Sequence, residues 1–450
     1  MATTEFTFTQ SAGTSVKKLT VSLWFKLGTG IDATNQGLWG CGTGTSDGIS
    51  LTYKDDAKLL WNTYDGSTNP KIKTTRQFRD PGAWMHVVVN EDTTNAAGGD
   101  RFRMYINGVE ETVFDTDTNP VQDSVIPGWS GSGDTMHIGN RVLDGDAFFT
   151  GSLAHVHVID GTIYDASAFG STDATSGIWV PNSAPSVTYG TNGGFYKFAS
   201  GALTTDSSGE GNTLSQVGTP IATKDNAMNN FCTLNSLDNY RPGVTFSNGN
   251  NTIVTPASSL YAPVTGTVGL SSGKWYWEVK PTTMVTYNEQ LVGISSTQTT
   301  ANSYQLGYYP NDWGYYANNG NSYNNNSSTS YGDAYVANDI IGVALDLTNN
   351  KLYFAKNNTW QNSGVPTSGS TGTGALSITA PASTPFGAYL PAATYWHSSS
   401  NTYSVNFGNG YFGTTAVTSA EADGNGEGSF EYAPPTGYFA LCTNNLGSDS

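Results

Sequence analysis

The sequence predicts an all-β protein built as two antiparallel β-sandwiches. Three observations carry that reading. Gly273-Lys-Trp-Tyr-Trp-Glu-Val-Lys280 alternates strictly, with Trp275, Trp277 and Val279 on one face and Lys274, Tyr276 and Glu278 on the other. Period two is the mark of a half-buried strand. Asp339-Ile-Ile-Gly-Val-Ala-Leu-Asp-Leu-Thr-Asn-Asn-Lys-Leu-Tyr-Phe-Ala-Lys356 reads as strand, Asn-Asn turn, strand, a hairpin closed by residues that tolerate left-handed φ. The first half repeats short apolar segments at intervals of roughly 10–15 residues between turn formers, with no helical stripe.

In chain order, Leu19-Thr-Val-Ser-Leu-Trp-Phe-Lys-Leu27 places Leu19, Val21, Leu23, Phe25 and Leu27 on one face. Gly-cut apolar pieces follow at 37–40, 49–53 and 58–61. Trp84-Met-His-Val-Val-Val89 leads through a polar loop into Arg101-Phe-Arg-Met-Tyr-Ile-Asn-Gly-Val-Glu110, where Asn107-Gly108 signals a type I′ hairpin. Met136-His-Ile-Gly139 and Gly151-Ser-Leu-Ala-His-Val-His-Val-Ile159 complete this set, which spans 1–188. Residues 189–241 read as a connector with one strand near Phe195-Tyr-Lys-Phe198 and the turn-forming run Thr205-Asp-Ser-Ser-Gly-Glu-Gly-Asn212. The second sandwich spans 242–450, and its tail, from Phe430 to Leu446, is expected to add a strand.

Two or three domains suit a chain of 450 residues. Charged residues make up only 12%, against roughly 25% in an average globular chain. Apolar content is carried by large amphipathic side chains, 25 Tyr and 11 Trp among them. A net charge of −17 disfavours nucleic acid and anionic membrane surfaces and promotes solubility. Cys41, Cys232 and Cys442 are too few and too far apart for a disulfide framework or a metal site, and are expected as small buried hydrophobes in a protein made in a reducing cytosol. The N-terminus has no signal-peptide pattern, and no apolar run approaches 18 residues, so no membrane insertion is expected.

The ordered set Trp84-x-His, Val87-x-Val89, Arg103-x-Tyr105-x-Asn107-Gly108-Val109, Ile138-Gly139 and Phe149-x-Gly151-x-Leu153 resembles the laminin-G-like, concanavalin A-like jelly roll. The strands at 273–280 and 339–356 resemble the SPRY domain, a sandwich used for binding. Together with the Asp206-Ser-Ser-Gly-Glu-Gly-Asn212 joint and the Pro434-Pro-Thr-Gly-Tyr438 ending, the combination is similar to virion proteins of marine tailed bacteriophages. That resemblance implies an exposed virion component, made in the host bacterial cytoplasm, with other virion proteins and a host surface polysaccharide as partners and a homo-oligomeric assembly.

Chemistry has weak support in the sequence. Glycoside cleavage needs two carboxyl groups about 5 Å apart or wider, and the glucanase string Glu-x-Asp-x-x-Glu does not occur. Glu91-Asp92, Glu110-Glu111 and Asp115/Asp117 read as solvated turn residues. His155-x-His157 places two imidazoles on one strand face about 6–7 Å apart, with His86 and His137 on other strands; they read as polar outward histidines or as a metal pair. Asp32, Asp144, Asp146 and Asp206 are either turn residues or calcium ligands, Asp144-Gly-Asp146 having the closest spacing; no other cofactor is expected.

Aromatic loops are better candidates, because sugars stack flat C–H faces on Trp and Tyr while Asn and Asp take the hydroxyls. The segment from Tyr308 to Tyr323 contributes Tyr308, Tyr309, Trp313, Tyr316 and Tyr323. Trp396, Trp61 with Tyr64, and Trp129 in a Gly-rich loop add to them, Trp129 being expected exposed. Each of these rings serves either a glycan or the sandwich wall, and Trp313 and Tyr315 are the strongest wall candidates. The expected function is non-enzymatic: a fibre or appendage subunit binding host glycan. The alternatives are a capsid or tail decoration protein and, least favoured, a polysaccharide hydrolase.

Overall fold

The structure is a computed structural model; it describes residues 4–28, 34–45, 47–143, 145–238, 243–257, 261, 263–284, 289–297, 304–396 and 399–447. The chain divides into two compact units, Met1–Ala222 with Asn226–Met228, and Thr223–Asp225 with Asn229–Ser450. Both are β-sandwiches of antiparallel sheets. Among the described residues helix is confined to the turn Thr443–Leu446 and short 3-10 pieces, and no helix is long and apolar enough to cross a membrane.

In the first unit one sheet runs, in spatial order, Phe114–Thr118, Lys71–Thr74, Leu59–Tyr64, Asp47–Tyr53, Gln36–Gly44, Thr135–Ile138, Glu5–Thr9 and Ser215–Val217. The other runs Gly194–Tyr196, Gly151–Asp160, Lys18–Leu27, Met85–Asp92, Phe102–Ile106 and Val109–Glu111. The stretch 189–241 thus supplies two strands, one to the end of each sheet. The Asp-Ser-Ser-Gly run is the clasp between them: Asp206 accepts from the backbone N–H of Phe195 (3.0 Å), Ser208 (2.8 Å) and Asn212 (2.9 Å). Asn107 and Gly108 both have positive φ, 47° and 84°, as a type I′ turn requires.

Facing residues of the two sheets form one core. Its largest members are tryptophans: Trp39 stacks on Trp61 with centroids 5.7 Å apart and lies 6.2 Å from Trp129. The expectation of an exposed Trp129 is corrected, because the ring is 1% exposed. Gly128, at φ +68°, presses its backbone onto Gly42 and Gly48, and the loop closes over the core. Glu91 is also corrected from a solvated turn to a buried core group: it shares a strand face with Val87 and Val89, and one oxygen accepts from Trp61 Nε1 at 3.2 Å. Burial pushes its carboxyl up to about 8.

In the second unit the larger sheet runs Thr245–Ser247, Thr252–Thr255, Asn401–Asn406, Lys274–Thr283, Ile341–Asp346, Lys351–Lys356 and Thr359–Trp360. Leu376–Ser377 pairs with Lys351–Lys356, and Phe439–Ala440 pairs in parallel with Trp275 and Tyr276. The smaller sheet runs Val264–Thr265, Leu390–Tyr395, Gln290–Ser295, Asp312–Tyr316, Ser322–Asn324 and Ser327–Thr329. Trp275, Trp277 and Val279 enter the core between them. The 346–351 hairpin closes with Asn350 in the left-handed region, φ 55°.

The strand Lys274–Thr283 is buried on both faces, not half-buried as its alternation predicts. Tyr276 lies under Phe430, Tyr438 and Ala440 of the C-terminal segment. Glu278, fully buried, accepts from the N–H of Glu431 (3.0 Å) and Tyr432 (2.8 Å), from Asn406 Nδ2 (3.2 Å) and from the Tyr276 hydroxyl (3.2 Å). Burial raises its carboxyl to about 7, and the donated hydrogen bonds pull against that rise. Cys41, Cys232 and Cys442 are all buried and form no disulfide with one another.

Glu278→Ala removes the acceptor for two part-buried backbone N–H groups, at a cost of roughly 2–4 kcal/mol. Hydrogen exchange followed by mass spectrometry is expected to register faster exchange across 430–440. Unchanged protection there contradicts the role assigned to this carboxylate.

Candidate functional site

The outer face of the smaller sheet in the second unit carries an aromatic platform. Leu291 and Ala392 point outward there and, with Leu306, make a small apolar cluster on which Tyr316 and Tyr323 rest. Those two rings meet edge to face at 5.2 Å. The chain from Tyr304 to Tyr309 crosses above them. Two glycines permit the crossing: at Gly307, φ +88°, a Cβ would collide with Tyr323, and at Gly314 it would collide with Leu291. On this loop Tyr304 lies 4.0 Å from Tyr308 and 5.7 Å from Tyr309. The Tyr261 hydroxyl donates to Gln305 Oε1 at 3.0 Å, and its ring lies 6.2 Å from Trp396. All seven rings are half-buried, held at their base with part of each surface open.

Of the sequence candidates, Tyr308, Tyr309, Tyr316, Tyr323 and Trp396 are thus gathered in one place. Tyr304 and Tyr261 were missed. Tyr304 stands in the same Tyr-x-x-x-Tyr-Tyr run as Tyr308, a signal at hand; Tyr261 stands alone between Leu260 and Ala262 and carries none. Trp313 is turned inward, because Gly314 and Tyr316 take the outer face of their strand, and it packs on the core with Tyr315. Trp61 and Trp129 belong to the buried core of the first unit and offer no face to a sugar. Tyr64 ends the strand Leu59–Tyr64 in that unit, half-exposed.

Beside the platform a cleft opens between Tyr304, Tyr309 and the sheet edge, walled by Asp238, Thr265, Asp312 and Thr394. Its enclosed part is about 30 Å³, room for roughly two waters. Asp312 is buried and accepts from Ser295 Oγ at 2.8 Å, while the Thr265 hydroxyl donates to Asp238. Burial lifts the Asp312 carboxyl to about 6, opposed by hydrogen bonds from Ser295 and from 296–297. The Thr394 hydroxyl is fully buried and has no partner. Two carboxyl groups, those of Asp238 and Asp312, stand in this cleft.

His86 and His157 are buried, not open to solvent. Ser22, His86 and His157 lie on the outer face of their sheet, but the chain from 164 to 195 covers it, with Phe169, Tyr189 and Phe195 packed there. Trp179 Nε1–H donates to His86 Nδ1 at 3.0 Å, so the proton of the neutral ring is on Nε2, which donates to Ser22 Oγ at 2.8 Å. That direction is opposite to what a general base requires, and the pair is structural. His157 is stacked 3.9 Å from Phe195 and bonded through Nδ1 to the Tyr189 hydroxyl at 3.0 Å. A bulge between Ala154 and His157 places His155 at φ +47° and breaks the same-face spacing.

Among the described residues no three His, Cys, Asp or Glu side chains gather as metal ligands. Asp146 is exposed and accepts from Asn140 Nδ2 at 3.2 Å, Asp206 is occupied by backbone donors, and Asp32 and Asp144 lie outside the described residues.

Residues 2–168 match the family described as the concanavalin A-like lectin/glucanases superfamily, and residues 274–385 match the SPRY domain. No curated protein matches the chain. Among solved structures, the SPRY domain of human HERC1 is 16% identical over 34% of this chain and 87% of its own length, with a TM-score of 0.27. A second human SPRY domain is 16% identical over 36% and 93%, with a TM-score of 0.28. The heptameric SAP-like pentraxin of Limulus polyphemus is 18% identical over 41% and 87%, with a TM-score of 0.27. Lectin-like and SPRY domains together support a binding or structural role.

The covered histidines make the first unit acid-sensitive. Burial holds His86 down to about 3, His155 to about 4 and His157 well below 6.5. The unfolded chain takes up these protons near 6.5, so the stability they contribute is complete above that pH and is lost as pH falls. Glu91 acts oppositely: the folded state keeps a proton that the unfolded chain releases near 4.5, so its contribution is lost as pH rises toward 8. From pH 6.5 down to 4.5 three histidines outweigh one glutamate, giving a loss on the order of 2 kcal/mol per pH unit. His157→Gln is expected to reduce that slope by roughly 1.4 kcal/mol per unit, measured as urea midpoints between pH 4.5 and 6.5. An unaltered slope contradicts the buried, neutral state of His157.

Proposed function

We propose that the protein is a non-enzymatic virion protein of a tailed bacteriophage, an exposed fibre or appendage subunit that binds host cell-surface glycan. One observation carries the binding part: seven half-buried aromatic rings collected around the Tyr304–Tyr309 crossing, beside a cleft walled by hydroxyls and carboxylates. Held rings lose little entropy when a sugar stacks on them. Single contacts of this kind are weak, and a homo-oligomer would multiply them by avidity. The virion setting and the host polysaccharide rest on the sequence resemblance, as does synthesis in the host bacterial cytoplasm. No part is given to nucleic acid, for which a net charge of −17 is unsuited, or to membrane insertion.

A decoration role, contacting other virion proteins, is the second reading. The edge strand Ser327–Thr329 favours it, being exposed and free of charge or proline to discourage strand addition.

A glycan array and host-cell binding test the first reading. Tyr308→Ala and Tyr309→Ala are each expected to weaken binding about tenfold, the loss of one stacking contact, with no change in fold. Absence of binding to any surface polysaccharide, even by an oligomerised protein, overturns it, and lateral burial of the second unit in particle density favours decoration. Incubation with host polysaccharide is expected to release no reducing ends; steady turnover would establish a hydrolase instead.

A further inference from the structure

We propose that the cleft beside the platform takes the primary hydroxymethyl group of a neutral hexose whose ring lies on Tyr304 and Tyr309. This rests on the glycan-binding reading and specifies its ligand class. The Thr394 hydroxyl carries the inference. Leu291 faces Thr394 across the strand pair, and both sit on the outer face, so the Thr394 side chain is directed into the cleft it lines. It is 0% exposed, and its oxygen has no partner. Buried hydroxyls are rarely left so, and one that is marks a place completed by a ligand atom or a water.

The surroundings define which ligand atom. Asp312 is occupied by Ser295 and by donors at 296–297, whereas Asp238 accepts from the Thr265 hydroxyl, and an ionised carboxylate there has lone pairs for more. The cleft therefore offers acceptors on its wall and a hydroxyl able to donate in its interior. A sugar O–H satisfies both, donating to a carboxylate and accepting from Thr394. A ligand carboxylate has only acceptors to present and meets two acidic groups, so uronic acids are rejected. Size decides the rest. About 30 Å³ holds one carbon and one oxygen but no ring. Leu306 and Ala392 in the wall suit the CH₂, and the tyrosines are placed to carry the ring outside.

The test uses the full chain and saturation-transfer NMR with two series of methyl glycosides. One is glucose, xylose and glucuronic acid; the other is galactose, L-arabinose and galacturonic acid. Within each series only the substituent at C5 changes, from CH₂OH to H to carboxylate. In at least one series the hexose is expected to bind about tenfold tighter than its pentose partner, the penalty for leaving a buried polar site unfilled, and the uronate not to bind. Thr394→Val keeps the side-chain shape and is expected to remove the hexose preference while leaving pentose binding and the urea midpoint intact. Hexose and pentose bound alike, with binding still weakened about tenfold in Tyr309→Ala, overturns the cleft assignment alone and leaves stacking on the tyrosines in place. A hexose preference that survives Thr394→Val also overturns it, the cleft then holding water only. Failure of all six glycosides to bind, together with an empty glycan array, overturns the glycan reading itself.

Discussion

A β-strand with large or charged groups on both faces must be covered twice, and Glu278 sets the terms of that covering in the second unit. Its strand already gives Trp275, Trp277 and Val279 to the core. A carboxylate on the reverse face is tolerable inside the protein only if its lone pairs are occupied. The C-terminal segment meets that condition by bringing two backbone N–H groups to it, and in doing so lays Phe430, Tyr438 and Ala440 over Tyr276. One buried acid thus anchors the C-terminal segment at Glu431 and Tyr432.

The first unit solves the same problem with neutral partners. Ser22, His86 and His157 stand on a reverse face, and the chain from 164 to 195 closes over them with a tryptophan donor, a tyrosine hydroxyl and stacked rings. Groups that look like catalytic or metal-binding chemistry become packing: the direction of the Trp179–His86–Ser22 chain is fixed by an indole donor with no alternative role, and His157 is held between stacked rings. The smaller sheet of the second unit is treated differently. Among the described residues its outer face is crossed by the short loop around Leu306, and rings remain partly open on either side of that crossing. Recognition is argued from this incompletely covered face, where apolar area is held in place but still reachable.

The elements themselves were legible in the sequence. Leu19 to Leu27 and Trp275 to Val279 alternate as strands must, and Asn107-Gly108 adopts the turn its composition demands. The site was half legible. Tyr308, Tyr309, Tyr316 and Tyr323 come from one dense segment, and their grouping follows from hairpin geometry. Trp313, in the same segment, faces away for a reason of parity alone. Trp61 and Trp129 misled because a loop tryptophan and a core tryptophan have the same letter and similar neighbours.

By itself the sequence determined the class of fold and the place of the longest strands, and it lacks the string Glu-x-Asp-x-x-Glu, since these depend on periodicity and residue type along a short stretch. Which faces are sealed, which rings stay open, and that the Thr394 hydroxyl is left unpaired beside the cleft were decided only when segments far apart in the chain came together. Burial is a property of what lies opposite, and what lies opposite a strand is set by long-range packing rather than by the strand's own pattern.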